Sequence, residues 1–368
     1  MGDATGNAHT NGVDTNSKIL PPFPDDIKTA PLVTLHLAKL LANDADEHAH
    51  LFEASKNLGF FYLDMRGCPE GETLLKGKDA LFQTAEEFHE LPLEEKLKCD
   101  YASRGTYAGY KGVGREVIDR KGTRDRNAIY NMPKDDILGI NPDPYPVPAL
   151  IESKHDLLEQ YTKSNDVVLQ TIFSSLNKSL QLPEGTLNNM HRLTEPSMCH
   201  VRFICAPPQP PADRGVTSLG EHTDFGSLTI LFNRVGGLQV QLPGEAKEWV
   251  YVKPVEGCAI VNLGDAMVVF SKGLLRSNLH RVITPPGAQA DITRYSLVYF
   301  CRPENAVIMK ALKGGILDQI SADTKDDVPG ESSAEWMKRR HLGRKLEYFK
   351  GPETWDNARG TEGTRMAV

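Results

Sequence analysis

The feature that most constrains this chain is a change in hydrophobic period at Val201. Before it, apolar residues recur at the spacing of amphipathic helices, whereas after it they alternate as they do along β-strands. Glycine and proline pairs, among them Gly236-Gly237 and Pro243-Gly244, separate the alternating segments. Many short strands between turns are typical of a barrel or a sandwich. The predicted strands are Leu228–Phe232, Leu238–Leu242, Trp249–Val252, Ala259–Asn262, Met267–Phe270, Arg281–Ile283 and Tyr295–Cys301.

The first half of the chain is predicted to be mainly helical. Helices are expected over Ala45–Leu58 and around Leu74–Phe88, with a strand at Gly59–Leu63 between them. Residues 100–148 lack clear periodicity and are rich in Gly, Tyr, Arg and Pro, which predicts long loops with short strands. A long loop in a compact enzyme often covers a substrate. The longest helix is predicted over Ala149–Leu180, and its single apolar stripe is typical of a scaffold helix packed on a sheet.

Composition and charge exclude several classes of function. The 368 residues are 40% hydrophobic and 25% charged, as in an ordinary globular protein with a large core. The net charge of −7 argues against a nucleic-acid or anionic-membrane partner, because both require a basic face. Six dispersed cysteines without a C-x-x-C pair are typical of reduced thiols. No apolar run reaches about 18 residues and the N-terminus lacks a secretory pattern, so a cytoplasmic location is expected.

Two histidines and one aspartate supply the candidate metal ligands. His222 and Asp224 lie two residues apart, and such residues project from the same face of an extended strand. His280 begins another predicted strand, which pairing can bring close. Each residue alone is as well explained by a loop, turn or core role, but together they form the ligand set of the facial triad in non-haem Fe(II) oxygenases. His200, which enters a strand near Arg202, is expected to be structural.

A second candidate site follows from Arg294 and Ser296. Ser296 lies in the predicted strand Tyr295–Cys301 and Arg294 directly precedes that strand. The two side chains share one face, because residues two apart in extended chain project to the same side. An arginine fork beside a hydroxyl is a suitable carboxylate site. An internal ion pair with Asp or Glu is the alternative, because a buried arginine needs an anionic partner. Because the chain also carries the metal triad, the carboxylate of a small co-substrate is favoured as the partner of Arg294.

At this point the chain resembles a known family, the 2-oxoglutarate-dependent Fe(II) dioxygenases of the isopenicillin N synthase-like group. The matching segments occur in the same order and at the same spacing, and the resemblance extends from about Leu20 to Gly351. The segments are Gly220–Leu231, Gly236–Val240, Val261–Asp265, Ser277–Val282 and Arg294–Phe300, together with Gly59–Tyr62, Pro92–Lys96 and Gly109-Tyr110 in the N-terminal part.

The resemblance implies a double-stranded β-helix, or jelly-roll, core flanked by helices. His222, Asp224 and His280 would hold Fe(II), Arg294 and Ser296 would bind the distal carboxylate of 2-oxoglutarate, and O2 would complete the reaction. The substrate would be a small specialised metabolite, hydroxylated or desaturated with release of succinate and CO2. The implied organisation is one compact unit: a disordered tail at 1–17, a helical and loop region at 18–150, a scaffold helix and connection at 151–198, the core at 199–310 and a C-terminal helical region with a tail at 311–368.

One departure from the family concerns the co-substrate. Many relatives carry a Tyr just before the double proline of the strand that here reads Val201–Pro208, and this chain has none. Asn262 or Arg202 is expected to take over that contact. Substrate contacts are predicted for six residues: Tyr107, Tyr110 and Lys111 in the irregular N-terminal region, Phe225 after the metal pair, and Phe300 and Arg302 at the end of the carboxylate strand.

Three alternatives remain open at this stage. A relative that oxidises without 2-oxoglutarate would use Arg294 and Ser296 to bind the carboxylate of the substrate itself. A non-catalytic ligand-binding barrel would use the metal structurally, but three protein ligands do not close a structural site. A zinc hydrolase would need a general base such as that of a His-Glu-x-x-His motif, which is absent from the sequence.

Overall fold

Two β-sheets form the core of the protein in a computed structural model that describes residues 20–320, 330–342 and 345–354. The predicted disordered tail at 1–17 lies outside these residues. The strands of the described residues are β1 Thr34–His36, β2 Phe60–Asp64, β3 Gly109–Lys111, β4 Ala128–Pro133, β5 His200–Ala206, β6 Thr217–His222, β7 Leu228–Asn233, β8 Leu238–Gln241, β9 Trp249–Tyr251, β10 Cys258–Leu263, β11 His280–Ile283 and β12 Arg294–Cys301.

Strands that follow one another in the chain alternate between the two sheets. The larger sheet has the order β1-β2-β10-β7-β12-β5-β4-β3, and the smaller one has the order β6-β11-β8-β9. From β5 to β8, and again from β10 to β12, each strand lies in the opposite sheet from its predecessor. All neighbours pair antiparallel except β1 and β2. This alternation is the winding of a jelly roll, so the predicted core is confirmed.

The longest helix packs on the outer face of the larger sheet. Alternate residues of β12, such as Leu297 and Tyr299, share a hydrophobic cluster with the buried stripe of the longest helix.

None of the helices in the described residues has the length and apolar composition needed to span a membrane. The α-helices are α1 Leu37–Leu41, α2 Ala45–Asn57, α3 Pro69–Glu90, α4 Leu93–Leu97, α5 Lys134–Ile137, α6 Ala149–Glu152, α7 His155–Ser179, α8 Asp265–Phe270 and α9 Ser333–Leu342.

Two predicted elements differ from the structure. The helix predicted over Ala149–Leu180 is interrupted between α6 and α7, where the Ser153 hydroxyl donates to the carbonyl oxygen of Leu150 at 2.7 Å and Lys154 leaves the helical conformation. Met267–Phe270 was predicted as a strand and forms most of α8. A four-residue apolar run fits a buried helix and a buried strand equally well, so period alone could not distinguish them.

The other face of the larger sheet points into an internal cavity between the two sheets. Along β12 the residues Arg294, Ser296, Val298 and Phe300 line this cavity, while the residues between them face the helices. The smaller sheet closes the other side of the cavity, for instance through Val282. The same strand therefore contributes to the hydrophobic core with one face and to the candidate site with the other.

Packing of α7 can be tested by two alanine substitutions on opposite faces of that helix. Leu176 is fully buried in the core, whereas Val167 is 41% exposed. Leu176→Ala should lower the free energy of unfolding by about 2–5 kcal/mol, because it leaves a cavity in the core. Val167→Ala should change it by less than about 0.5 kcal/mol. Urea denaturation of the metal-free protein, followed by circular dichroism, measures both values, and equal losses would contradict this packing.

Candidate active site

The three candidate metal ligands converge in the cavity. His222 ends β6 and His280 begins β11, and the two histidines are direct cross-strand partners with ring centroids 4.2 Å apart. Asp224 lies in the loop after β6, with its Oδ1 atom 3.8 Å from the Nε2 atoms of both His222 and His280. One ligand atom from each residue lies within 4.8 Å of the others, a suitable arrangement for one metal ion.

The local backbone departs from a regular strand at this point. Pairing between β11 and β6 shifts register, since His280 faces His222 while Val282 faces Leu219. Such a bulge re-aims side chains, and here it lets both Leu219 and His222 face the cavity. Because β6 ends at His222, Asp224 reaches the site from a loop instead of from the extended strand that the sequence suggested.

Hydrogen bonds fix the orientation of all three ligands. The Nδ1 atoms of His222 and His280 lie 2.7 and 3.1 Å from the carbonyl oxygens of Gly220 and Asn278, so protonated Nδ1 atoms would leave the Nε2 lone pairs directed at the site. The Oδ2 atom of Asp224 accepts hydrogen bonds from Thr229 Oγ1 at 2.7 Å and Asn262 Nδ2 at 2.8 Å. Its Oδ1 atom consequently faces the two histidines. Two imidazole nitrogens and one carboxylate oxygen fit Fe(II). The groups that hydrogen-bond to these side chains are of the kind that orients metal ligands.

The loop that carries Asp224 is packed against the start of α8. The backbone amides of Asp265 and Ala266 donate to the carbonyl oxygens of Asp224 and Gly226 at 2.8 and 3.1 Å. These amides would otherwise lack partners at the helix start. A Cβ atom on Gly264 would lie 2.2 Å from the Gly226 oxygen, so the close approach requires glycine.

A buried ion pair ties the same loop to the C-terminal helix α9. Asp265 accepts from Thr223 Oγ1 at 2.9 Å and from Arg340 Nη2 at 2.7 Å, and the side chains of Asp265 and Arg340 are 0% and 4% exposed. The Arg340 guanidinium also lies 4.4 Å from the ring centroid of Phe225, and the Trp336 indole donates to the Phe225 carbonyl at 3.3 Å. Helix α9 thus holds the metal-site loop in place.

Arg294 and Ser296 lie in the same cavity as the triad. Arg294 is 2% exposed; its Nε donates to the carbonyl oxygen of Gly236 at 2.8 Å and its Nη1 to Ser296 Oγ at 2.6 Å. Burial lowers the pKa of Arg294 to about 10, so the guanidinium stays charged at neutral pH. Within the described residues no acidic side chain forms an ion pair with it, which removes the internal ion pair as an explanation. An external anion is then the natural partner.

Asn262 and Arg202 line the cavity, but their contacts differ from the expected ones. The Asn262 amide donates to Asp224, so it positions a proposed metal ligand instead of facing a co-substrate. The Arg202 Nε donates to Asn131 Oδ1 at 2.6 Å, and its guanidinium lies 4.7 Å from the Phe300 ring centroid. In the strand register Arg202 faces Val298, which is four residues or about 13 Å along β12 from Arg294.

Four of the six residues predicted to contact the substrate line the cavity: Tyr107, Phe225, Phe300 and Arg302. Tyr110 and Lys111 do not. The Tyr110 ring belongs to the hydrophobic core near Phe88, and the Lys111 ammonium pairs with the buried Asp125. Both residues lie on the short strand β3 at the edge of the larger sheet. The sequence around this strand is irregular, so it could not reveal that neither side chain lines the cavity.

Several cavity residues were missed by sequence reasoning. Thr229 shares its face of β7 with Leu231, so alternation was an available signal. Met337 and His341 lie four residues apart on α9, the spacing of one helix face. Glu116 carried no signal, because it lies in the aperiodic loop region. The loop region 100–148, which the sequence predicts as a candidate cover, therefore contributes to the cavity wall, and so does the C-terminal helix.

Comparison with known proteins identifies the family. Residues 196–303 match the family model described as the 2OG-Fe(II) oxygenase superfamily. Residues 30–146 match the model described as the N-terminal region of non-haem dioxygenase in morphine synthesis. The first match contains the triad, Arg294 and Ser296, and the second covers the helical and loop region that precedes the core.

Fungal relatives and solved structures agree with these matches. A 2-oxoglutarate-dependent dioxygenase of Aspergillus fumigatus is 31% identical over 345 residues, which cover 88% of this chain and 89% of that protein. The 2-oxoglutarate-dependent dioxygenase frbH of Dothideomycetidae sp. is 31% identical over 78% of this chain and 87% of its own length.

Two solved structures show the same fold. The full-length Neurospora crassa protein in complex with alpha-KG has a TM-score of 0.70 and 24% identity, covering 83% of this chain and 94% of that one. The rice dioxygenase for auxin oxidation has a TM-score of 0.62 and 20% identity, covering 89% of this chain and 99% of that one. The family models and the fungal relatives show that the chain belongs to the 2OG-Fe(II) oxygenase superfamily and is a 2-oxoglutarate-dependent dioxygenase.

Proposed function

We propose that His222, Asp224 and His280 hold the Fe(II) of this dioxygenase and that Arg294 and Ser296 bind its 2-oxoglutarate. The reaction is the hydroxylation or desaturation of a small specialised metabolite. The observation that carries the proposal is the buried charge of Arg294, which has no acidic partner in the described chain and faces the same cavity as the three ligand atoms.

The geometry supports a metal centre with open coordination positions. Three protein ligand atoms, two imidazole nitrogens and one carboxylate oxygen, lie within 4.8 Å of one another. Three ligands leave room for the co-substrate and O2, as in the facial triad. Thr229 and Asn262 hold Asp224 so that one carboxylate oxygen stays available, and the edge of the Phe60 ring packs against His280 with centroids 5.3 Å apart. These neighbours keep the ligands in place.

The same cavity supports recognition of the co-substrate. The Arg294 guanidinium is anchored by Gly236 and Ser296, which prepares it for a carboxylate. When bound, Fe(II) and 2-oxoglutarate would supply the oxidation by O2: one oxygen atom of O2 would end in succinate as the keto acid loses CO2, and the other would end in the hydroxyl group of the product or, in a desaturation, in water. The protein supplies orientation and keeps water out, through apolar residues such as Leu238 and Val282 that line the cavity beside the triad.

A cavity of this kind suits a small molecule. Its empty volume is about 1040 Å³ with the open mouth included. Tyr107 and Glu116 line it from the loop region, and Met337 and His341 from α9. A substrate surrounded by so many elements has to enter as a compact molecule, which favours a metabolite over a macromolecule.

Anaerobic titration of the Fe(II)-loaded protein with 2-oxoglutarate tests the co-substrate site. A weak metal-to-ligand charge-transfer band should appear in the wild type. Arg294→Ala should need about 10–100-fold more 2-oxoglutarate, because hydrogen bonds to a charged group are worth about 1.5–3 kcal/mol. Arg234→Ala, which removes a partly exposed arginine outside the cavity, is the matched control and should titrate like the wild type.

Absence of the band at every concentration would contradict the proposal. The protein would then be an oxidase that does not use 2-oxoglutarate, with Arg294 and Ser296 binding the carboxylate of the substrate. Succinate formation distinguishes the two reactions, since only the 2-oxoglutarate-dependent enzyme releases it.

Asp224→Ala tests the metal site directly. The variant should lose Fe(II) binding and activity while its far-ultraviolet circular dichroism stays that of a folded jelly roll, because Asp224 lies in a loop after β6. Anaerobic calorimetric titration with Fe(II) measures the binding. Full activity in this variant would show that the metal is held elsewhere.

Thr229→Val tests the partner of that ligand. Valine keeps the shape of threonine but cannot donate to Asp224 Oδ2, so Fe(II) affinity should fall by about 10–100-fold. Thr171→Val is the control, because its hydroxyl bonds only within the partly exposed face of α7. Unchanged affinity in Thr229→Val would mean that Asn262 alone orients Asp224.

A further inference from the structure

The end of the cavity opposite Arg294 contains a second set of cations. Arg302 follows directly after β12 and lines the cavity with the inward residues of that strand. Eight steps along an extended chain separate the Cα atoms of Arg294 and Arg302, which corresponds to about 26 Å. One molecule of 2-oxoglutarate is much too short to reach both guanidinium groups. Any partner of Arg302 in the cavity is therefore a different molecule from the partner of Arg294.

Arg302 is buried without an ion pair in the described chain. It is 8% exposed, its Nη1 donates to the carbonyl oxygen of Met198 and to His200 Nδ1, and its Nε atom has no hydrogen-bond acceptor there. Asp224 acts on the guanidinium electrostatically, but that carboxylate belongs to the proposed metal site. A buried cation left in this state costs free energy unless an anion joins it.

Arg202 adds a second positive charge beside the first. Its guanidinium lies 4.7 Å from the Phe300 ring centroid, and that of Arg302 lies 5.4 Å from the same centroid. Arg302 also lies 5.7 Å from the ring centroid of Tyr107. We call this group of Arg202, Arg302, Phe300, Tyr107 and His341 the arginine pocket. Two cations around one ring repel each other, and an anion placed between them would relieve that repulsion.

The neighbouring histidines are neutral donors or acceptors. Arginine can only donate, so its bond to His200 Nδ1 places the proton of that imidazole on Nε2, which has no partner among the described residues. Burial, followed by the charges of Arg302 and Arg202, holds the pKa of His200 well below its usual range. Burial likewise lowers the pKa of His341 to about 3, and its Nε2 atom also lacks a partner there.

We propose that the arginine pocket binds a carboxylate of the primary substrate. The substrate is then a carboxylic acid whose apolar body extends from this pocket toward the proposed metal ligands, over side chains such as Phe225, Met198 and Val298, which line the cavity. The planar fork of Arg302 suits a carboxylate, and the flanking rings suit an apolar body. This inference rests on the proposed function, because it places the substrate relative to the triad and to Arg294.

A matched set of ligands tests the proposal. The set contains 3-phenylpropanoic, 4-phenylbutanoic, 2-naphthylacetic and decanoic acids, each with its primary amide and methyl ester. Binding to the anaerobic Fe(II)- and 2-oxoglutarate-loaded enzyme is measured by calorimetric titration. At least one acid should bind about tenfold or more tightly than its amide and ester, because the charged hydrogen bonds exist only with the acid.

Substitutions then locate the preference. Arg302→Gln should abolish it while 2-oxoglutarate affinity and the charge-transfer band stay at wild-type values, which also shows that the variant is folded. Arg302→Lys should restore part of the preference, and Arg202→Gln, at a less buried site, should reduce it. Arg234→Gln, outside the cavity, should leave it unchanged.

Three results would overturn the inference: amides or esters that bind as tightly as the acids, an acid preference that survives Arg302→Gln, or no binding by any acid. Each differs from failure of the proposed function, which would appear earlier as the absence of the 2-oxoglutarate band in the wild type. A preference lost in Arg294→Ala but kept in Arg302→Gln would mean that the acids occupy the co-substrate site.

Discussion

The site depends on how the Asp224 carboxylate is held between the two sheets. Thr229 and Asn262, which donate to its Oδ2 atom, are direct cross-strand partners on β7 and β10 of the larger sheet. His222 and His280 are direct partners on the smaller sheet. The larger sheet therefore fixes the carboxylate and the smaller sheet fixes the imidazoles. The ligands meet only when the sheets pack face to face, so folding of the jelly roll and assembly of the metal site are one event.

Strand β12 gives the cavity its direction. Its inward side chains run from Arg294 at one end through Val298 and Phe300 to Arg302 just beyond the other end. Because the rise along a strand is fixed, the spacing of these residues sets how far apart two anions can bind. If Arg294 binds the co-substrate and Arg302 the substrate, as proposed, specificity for each can change separately, by substitution at either end of one rigid element.

Sequence reasoning placed side chains correctly where they lie on a regular strand. It was incomplete where an irregular backbone or a tertiary contact determines the position of a residue. Arg294 and Ser296 share a face because they lie on a regular strand. The convergence of His222 and Asp224 was predicted from an extended strand, but in the structure it depends on a bulge and a loop, which no period encodes. Met267–Phe270 is helical because it continues α8, whose first amides, those of Asp265 and Ala266, bond to the metal-site loop, a tertiary contact invisible in the sequence. Lys111 was misplaced for a similar reason, since only the fold shows that Asp125 holds it.

The C-terminal helix joins the two functions of the cavity. Arg340 reaches the metal-site loop through its buried pair with Asp265, and Met337 and His341 of the same helix line the substrate end. Removing one member of a buried ion pair costs about 3–5 kcal/mol, because the other charge is left uncompensated. A displacement of α9 large enough to admit a bulkier substrate would strain this pair, and through Asp265 and Thr223 it would disturb the loop that carries Asp224. Substrate size and metal-site geometry are therefore linked through one helix, and a change in the first requires compensation at Arg340.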